Sequence, residues 1–228
     1  MKEGIPMIQI ESWAAEFAQK LQKAFGQRLL FLGYQGSYGR GEATDHSDID
    51  IVTVLDQAAP ADLDQYRELV RSMPQGELAC GFLCGREELA GWPRYDSLGL
   101  LLDTKPVVGD LRELLPEFTR EDVWEALKIG ASGLYHAACH TYLYGGNPGG
   151  ALAGLGKAAF FCLRFWALCR DGHYYPSKRE LAGVLSGRER DLLRLAEARS
   201  PEEIQADYAL LLDWAGEILK SPPPWEEA

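Results

Sequence analysis

The sequence predicts an α+β protein whose first part is built on a small mixed sheet and whose second part is an α-helical bundle. Three observations predict it. Two short runs, Leu29–Tyr34 and residues 49–54, are rich in aliphatic, β-branched and aromatic residues and flank a glycine-rich turn. Helix-like and strand-like patterns then alternate up to about residue 112. From Arg120 onward the texture changes to long stretches with apolar residues three and four apart. The sequence therefore divides into residues 1–112, residues 113–221 and a short tail, 222–228.

Residues 8–25 place Trp13, Phe17, Leu21 and Phe25 at four-residue intervals, an amphipathic helix with Ser12 as a candidate cap and Gly26 at its end. The first strand, a short helix after Gly36 and the second strand follow. Residues 56–60 form a turn, and residues 61–73 a helix with Leu63, Tyr66, Leu69 and Val70 on one face. Pro74-Gln75-Gly76 breaks the chain before a third strand, residues 77–84. Residues 87–89 read as a helical turn, and Gly91-Trp92-Pro93 as a break. Residues 98–102 and Lys105–Val108 are expected to be two short strands around a turn at Asp103-Thr104. The domain boundary falls in residues 109–116.

In the second domain, Thr119 with Asp122 three residues on makes a capping box. Val123, Leu127, Ala131, Leu134, Ala138 and Tyr142 continue it as one apolar stripe. The run Gly145-Gly146-Asn147-Pro148-Gly149-Gly150 is a break. Three more helices are expected over residues 151–169, 177–198 and 201–220, with Ser177 and Ser200 as N-caps and Pro201 in a first turn. Four amphipathic helices make a bundle.

Chemistry concentrates between Gly36 and Asp50, the run Gly-Ser-Tyr-Gly-Arg-Gly-Glu-Ala-Thr-Asp-His-Ser-Asp-Ile-Asp. Strand side chains alternate, so Asp48 and Asp50 share one face while Ile49 and Ile51 turn to the other. Two adjacent carboxylates repel, and a divalent cation relieves the conflict. Hard oxygen ligands suit Mg²⁺, which takes one or two carboxylates together with substrate phosphates. Gly36, Gly39 and Gly41 let the backbone bend and approach a ligand, Ser37 offers a hydroxyl at a helix start, and Arg40 brings positive charge. A glycine-rich turn alone, or Asp-x-Asp alone, is common; the order and spacing together point to phosphate beside metal.

Gly36-Ser37, a ten-residue spacer and Asp48-Ile49-Asp50 resemble the signature of the nucleotidyltransferase superfamily that includes DNA polymerase β and kanamycin nucleotidyltransferase. The resemblance implies an α/β nucleotidyltransferase domain in which Gly36 and Ser37 hold the β and γ phosphates of an NTP, most simply ATP, and Asp48 and Asp50 hold one or two Mg²⁺. In that family a third carboxylate on the third strand completes the metal site or serves as base. Here the only acid in that run is Glu77, at its edge, and alignment with streptomycin adenylyltransferase-like sequences places Cys80 where an acid is expected. Glu77 is the candidate base, with Glu87, Asp96 and Asp103 as alternatives from the following segment. The helical half resembles the bundles that follow this domain in aminoglycoside-modifying enzymes, which implies a small-molecule acceptor in a cleft between domains and, as in some relatives, a homodimer. Lys157 is a candidate phosphate ligand there. Tyr174, Tyr175 and Lys178 fit either an acceptor pocket or packing, and packing is the simpler reading. His46, beside the second strand, fits a ligand or base, though a loop histidine is more often neither; His136 and His140, four apart, lack the glutamate of a zinc motif, and packing is the simpler reading. Arg170-Asp171-Gly172-His173 has the wrong spacing for the ribonuclease motif of toxin-type bundles.

The 228 residues carry a formal net charge of -11 and a pI near 4.9, which argues against a nucleic-acid partner and suits a cationic acceptor. Five cysteines without a C-x-x-C pair fit a reducing compartment. The first ten residues lack a continuous apolar segment, and the apolar run 158–169 is short and interrupted by Arg164, so the protein is expected in the cytoplasm. The expected activity is transfer of a nucleoside monophosphate to a small-molecule hydroxyl with release of pyrophosphate. A protein acceptor, or nucleotide binding without turnover, are the alternatives.

Overall fold

A computed structural model of the chain describes residues 8–195 and 200–226. It divides into two compact units that meet in sequence at Glu117 and Phe118.

The first unit runs α1 (Ile10–Phe25), β1 (Leu29–Tyr34), α2 (Gly36–Arg40), β2 (Ile49–Leu55), α3 (Pro60–Arg71), β3 (Ala79–Gly85), α4 (Arg86–Ala90), α5 (Arg94–Asp103) and β4 (Lys105–Val108). The strands lie in the order β3-β2-β1-β4. β1 is antiparallel to β2 and β4, whereas β3 is parallel to β2, so the sheet is mixed. The parallel pair needs a crossover, which α3 supplies.

One face of the sheet is covered by α1 and α3. Trp13, Phe17 and Leu21 from α1 join Leu32, Ile49, Ile51 and Leu55 in one buried cluster, with Tyr66, Leu69 and Val70 of α3 packed against it. Each such side chain contributes about 1.5–3 kcal/mol by leaving water. The start of α3 is tied to the end of β1's lead-in: Arg28 donates from both terminal nitrogens to the Asp62 carboxylate at 2.9 Å, and Asp62 also accepts from the Ala59 N–H.

Two expectations change in this unit. Residues 98–102 are helical, inside α5, because Pro93 opens a helix whose Leu98 and Ser97 are buried together rather than on alternating faces. The third strand begins at Ala79, and Glu77 stands ahead of it in a 3₁₀ turn, Gly76–Leu78.

The second unit runs α6 (Arg120–Tyr144), α7 (Pro148–Asp171), α8 (Lys178–Val184), α9 (Gly187–Leu192) and α10 (Pro201–Lys220). Its core joins Leu127, Leu134, Leu155, Leu163, Tyr208 and Trp214. The Thr119–Asp122 capping box forms as expected, with Asp122 accepting from the Thr119 N–H at 2.7 Å. The helix expected over 177–198 is instead two, α8 and α9, separated where Leu185 turns extended into the core and Gly187 takes a φ of 55°. Ala198 lies outside the described residues. α7 starts three residues earlier than expected: Asn147 Oδ1 accepts from Gly150 N–H, and Pro148 needs no donor in the first turn. At 24 residues α7 is long and apolar enough by composition to cross a membrane, but half of that window is buried inside this unit. Its Arg164 is 1% exposed, with the guanidinium 4.5–5.2 Å from the rings of Phe160, Phe161 and Tyr174. In the tail, Trp225 packs edge-on against Trp124 beneath the Arg120 guanidinium; Glu227 and Ala228, like the first seven residues on which the leader reading rests, lie outside the described residues.

Candidate active site

The turn after β1 is built around Gly36. Its φ is +67°, and a Cβ placed there would fall 1.7 Å from Asp50 Oδ2, so the Asp50 carboxylate rests directly on the glycine backbone. The neighbouring Gln35 N–H donates to the Asp50 carbonyl at 2.9 Å, which pins the turn to β2. α2 is five residues long and closes at Gly41 in the left-handed region, whose N–H donates to the Ser37 and Tyr38 carbonyls. Ser37 Oγ is buried and has no hydrogen-bond partner among the described residues.

β2 then places the two carboxylates. Ile49 and Ile51 point into the core, which leaves Asp48 and Asp50 on the opposite face. Across the parallel pair Asp50 is in register with Cys80. The Cys80 thiol lies 3.3 Å from Asp50 Oδ1 and 3.5 Å from Asp48 Oδ2. One ligating atom from each of Asp48, Asp50 and Cys80 lies within 4.8 Å of the others. Gly81 makes this approach possible: its φ is +114°, and a Cβ there would meet the Ile51 carbonyl oxygen at 1.9 Å. Partial burial, then the hydrogen bond and charge of Asp50 and the charge of Asp48, push the Cys80 thiol up to about 12.

The other candidates separate. Glu77 is exposed in the turn before β3 and is not in the cluster. It lines, with Cys80, Gly81, Phe82, Leu63 and Tyr66, a groove of about 450 Å³ along β3 and α3. Glu87, Asp96 and Asp103 are outside the cluster as well. Arg40 is ion-paired with Glu42 at 3.1 Å, its side chain 14% exposed, so its charge is already engaged within the turn. Lys157 belongs to the second unit, exposed on α7. Lys178 and Tyr174 pack around Phe160 and Arg164, and the His136 and His140 rings face one another at 6.1 Å. His46 is an exposed loop residue beside Asp45.

Cys80 touches both carboxylates, at the position where the resemblance sets it in place of a third acid. One feature escaped the sequence. Phe82 and Trp92 stack at 5.5 Å, and Phe82 lies two residues beyond Cys80 on the same face of β3. No local pattern signals that platform.

The donor set fits the groups the sequence implies. Two carboxylates converge where, among the described residues, no lysine or arginine is ion-paired with either, and a glycine leaves them room. The buried Ser37 hydroxyl lacks a partner, and the first N–H groups of a helical turn have no acceptors within it. Such donors suit an anion beside a cation.

Comparisons with known proteins concern the same stretch of chain. The family model described as "Nucleotidyltransferase domain" matches residues 15–100. A comparison with curated protein sequences finds no match. Among solved structures, spectinomycin adenyltransferase from Enterococcus faecialis, determined with ATP and spectinomycin, is similar in fold, with a TM-score of 0.54 and 15% identity over 91% of this chain and 100% of that one. At that identity the likeness concerns the fold. Residues 15–100, which hold Gly36, Ser37, Asp48, Asp50 and Cys80, are thus the stretch of this chain that is similar to a nucleotidyltransferase domain.

Proposed function

We propose that the chain transfers a nucleoside monophosphate, most simply AMP from ATP, to a hydroxyl of a small cationic molecule and releases pyrophosphate. The observation that carries this reading is the convergence of Asp48 and Asp50 against the Gly36 turn. The net charge of -11 supports a cationic acceptor, and the spectinomycin adenyltransferase of similar fold, determined with ATP, supports the nucleotide. Its five free cysteines fit a cytoplasmic setting.

In this reading Asp48 and Asp50 hold Mg²⁺, which neutralises phosphate charge and supplies electrostatic stabilisation of the transfer. Gly36 and Ser37 orient the β and γ phosphates through backbone N–H groups and the Ser37 hydroxyl. The acceptor O–H gives up its proton as its oxygen bonds to the α phosphorus, while the bond to pyrophosphate breaks. Glu77, on the rim of the groove that holds Cys80, is the proposed proton acceptor. Cys80 in the third position favours a second reading, a domain that binds nucleotide but turns over slowly or not at all, because a thiol that donates its hydrogen to the aspartates does not take up the acceptor's proton as a carboxylate would.

Thermal melting with each of the four NTPs, with and without Mg²⁺, separates these. A nucleotide at about 100 times its Kd stabilises by roughly 2.7 kcal/mol, several degrees for a domain of this size. The expected result is a Mg²⁺-dependent shift for one NTP that disappears in Asp48→Asn/Asp50→Asn. No shift with any NTP sinks both readings. A shift without pyrophosphate release across a panel of aminoglycosides and aminocyclitols leaves only the second.

A further inference from the structure

The third donor of the cluster is sulfur, and sulfur changes which cations the cluster holds. Zinc sits about 2.3 Å from a thiolate and about 2.1 Å from a carboxylate oxygen in tetrahedral sites, so two such donors lie about 3.6 Å apart. The Cys80 Sγ lies 3.3 Å from Asp50 Oδ1 and 3.5 Å from Asp48 Oδ2, so both sulfur–oxygen edges are close to that spacing before any ion enters. A carboxylate at this position would complete an all-oxygen site of the kind Mg²⁺ prefers; a thiolate favours softer ions. The tight Gly81–Ile51 approach holds the sulfur there, and Asp50 is held against Gly36. None of the three side chains is committed elsewhere as a structural ligand, and the adjoining turn independently lacks a polar partner at Ser37 Oγ.

We propose that Asp48, Asp50 and Cys80 form a site for a thiophilic divalent cation of the Zn²⁺ class, which competes with Mg²⁺ for the same two carboxylates. The inference rests on the nucleotidyltransferase reading only for its consequence, namely that such an ion regulates transfer by taking the magnesium seat. Binding replaces the Cys80 S–H bond with a sulfur–metal bond and releases that proton to solvent; no electrons are exchanged. Three protein donors leave a fourth position open, as in zinc sites that admit a further ligand.

The test uses the full chain without nucleotide and Cd²⁺ or Co²⁺ as optical probes, since both give thiolate-to-metal charge-transfer absorption. Wild type should develop the band to one ion per chain, and Zn²⁺ should abolish it. Cys80→Ser and Cys80→Ala should lack it, while Asp48→Asn/Asp50→Asn should need about a hundredfold more ion. Cys80→Asp should lose the band but bind Mg²⁺ more tightly than wild type. Melting curves of the variants without ion establish that each is folded. An unchanged band in Cys80→Ser, no band in wild type, or a band insensitive to loss of both carboxylates overturns the site. Because nucleotide is absent, a band without NTP-dependent stabilisation leaves this site standing and removes the transferase reading; the converse result removes the site alone.

Discussion

The Cys80 thiol donates to Asp50 Oδ1 at 3.3 Å across a parallel strand pair in which the two residues are in register. A carboxylate here would add a third negative charge within a few ångströms of two others. Cys80→Asp is therefore expected to lower the melting temperature of the metal-free protein, and millimolar Mg²⁺ to restore more than the loss. Equal melting of Cys80→Asp and wild type without metal would show that the three groups are further apart in solution than the strand register places them.

Gly36→Ala tests the cradle. The new methyl meets the Asp50 carboxylate, and the positive φ alone costs a non-glycine residue about 1–2 kcal/mol. We expect a lower melting temperature and loss of the Mg²⁺-NTP shift, measured in the same scans. A variant that melts early but keeps its nucleotide shift would separate the turn's stability from its binding role.

Glu77→Gln separates base from bystander. As the proton acceptor, Glu77 is expected to be worth about 10²–10⁴-fold in kcat, with the NTP-induced shift in melting unchanged. A change in kcat below about twofold places Glu77 outside the chemistry, as its exposed position in the turn before β3 also permits.

Acid stability reports on Asp62. The Arg28 guanidinium, and next the Ala59 N–H, hold its carboxyl down to about 2 from an ordinary 3.8. A depressed folded-state value means the pair stabilises the fold fully above the ordinary carboxylate range and loses that contribution as pH falls from about 4 toward 2. The stability gap between wild type and Asp62→Asn should accordingly be flat at neutral pH and close across that acid window. Urea titrations at a series of pH values measure it, and a gap that persists at pH 2 would remove the ion pair as its source.

Much of this fold is local information. α1, α3, α6 and α10 announce themselves through apolar residues on one face and through caps such as Thr119 and Ser200, and these lie where expected. Residues 98–102 were misleading because a short leucine run has no period of its own, and Pro93 five residues earlier decides for a helix. Gly149 and Gly150 look like a break but form a first turn under Asn147. In the site, Gly36, Ser37, Asp48 and Asp50 are legible from spacing because one turn and one strand carry them all. Cys80 is thirty residues from Asp50, so no local spacing links them; the family resemblance pointed to its position, and the pairing of β2 with β3 brings the two together. That pairing is a tertiary fact, as is the Phe82–Trp92 stack.

The strand order has a mechanical meaning. Asp50 stands on β2, hydrogen-bonded on both sides, whereas Cys80 stands on β3, which among the described residues has a partner on one side only. The cluster thus has one stiff wall and one compliant wall. An ion too large or too small for the resting spacing is accommodated by displacement of β3, with β2 and its turn as the fixed reference. Amide hydrogens of residues 79–85 should exchange ahead of those of β2, and occupancy of the centre should slow them most. In the proposed centre, β2 sets the position of the carboxylates, and any fitting to the ion is expected from β3 as a whole.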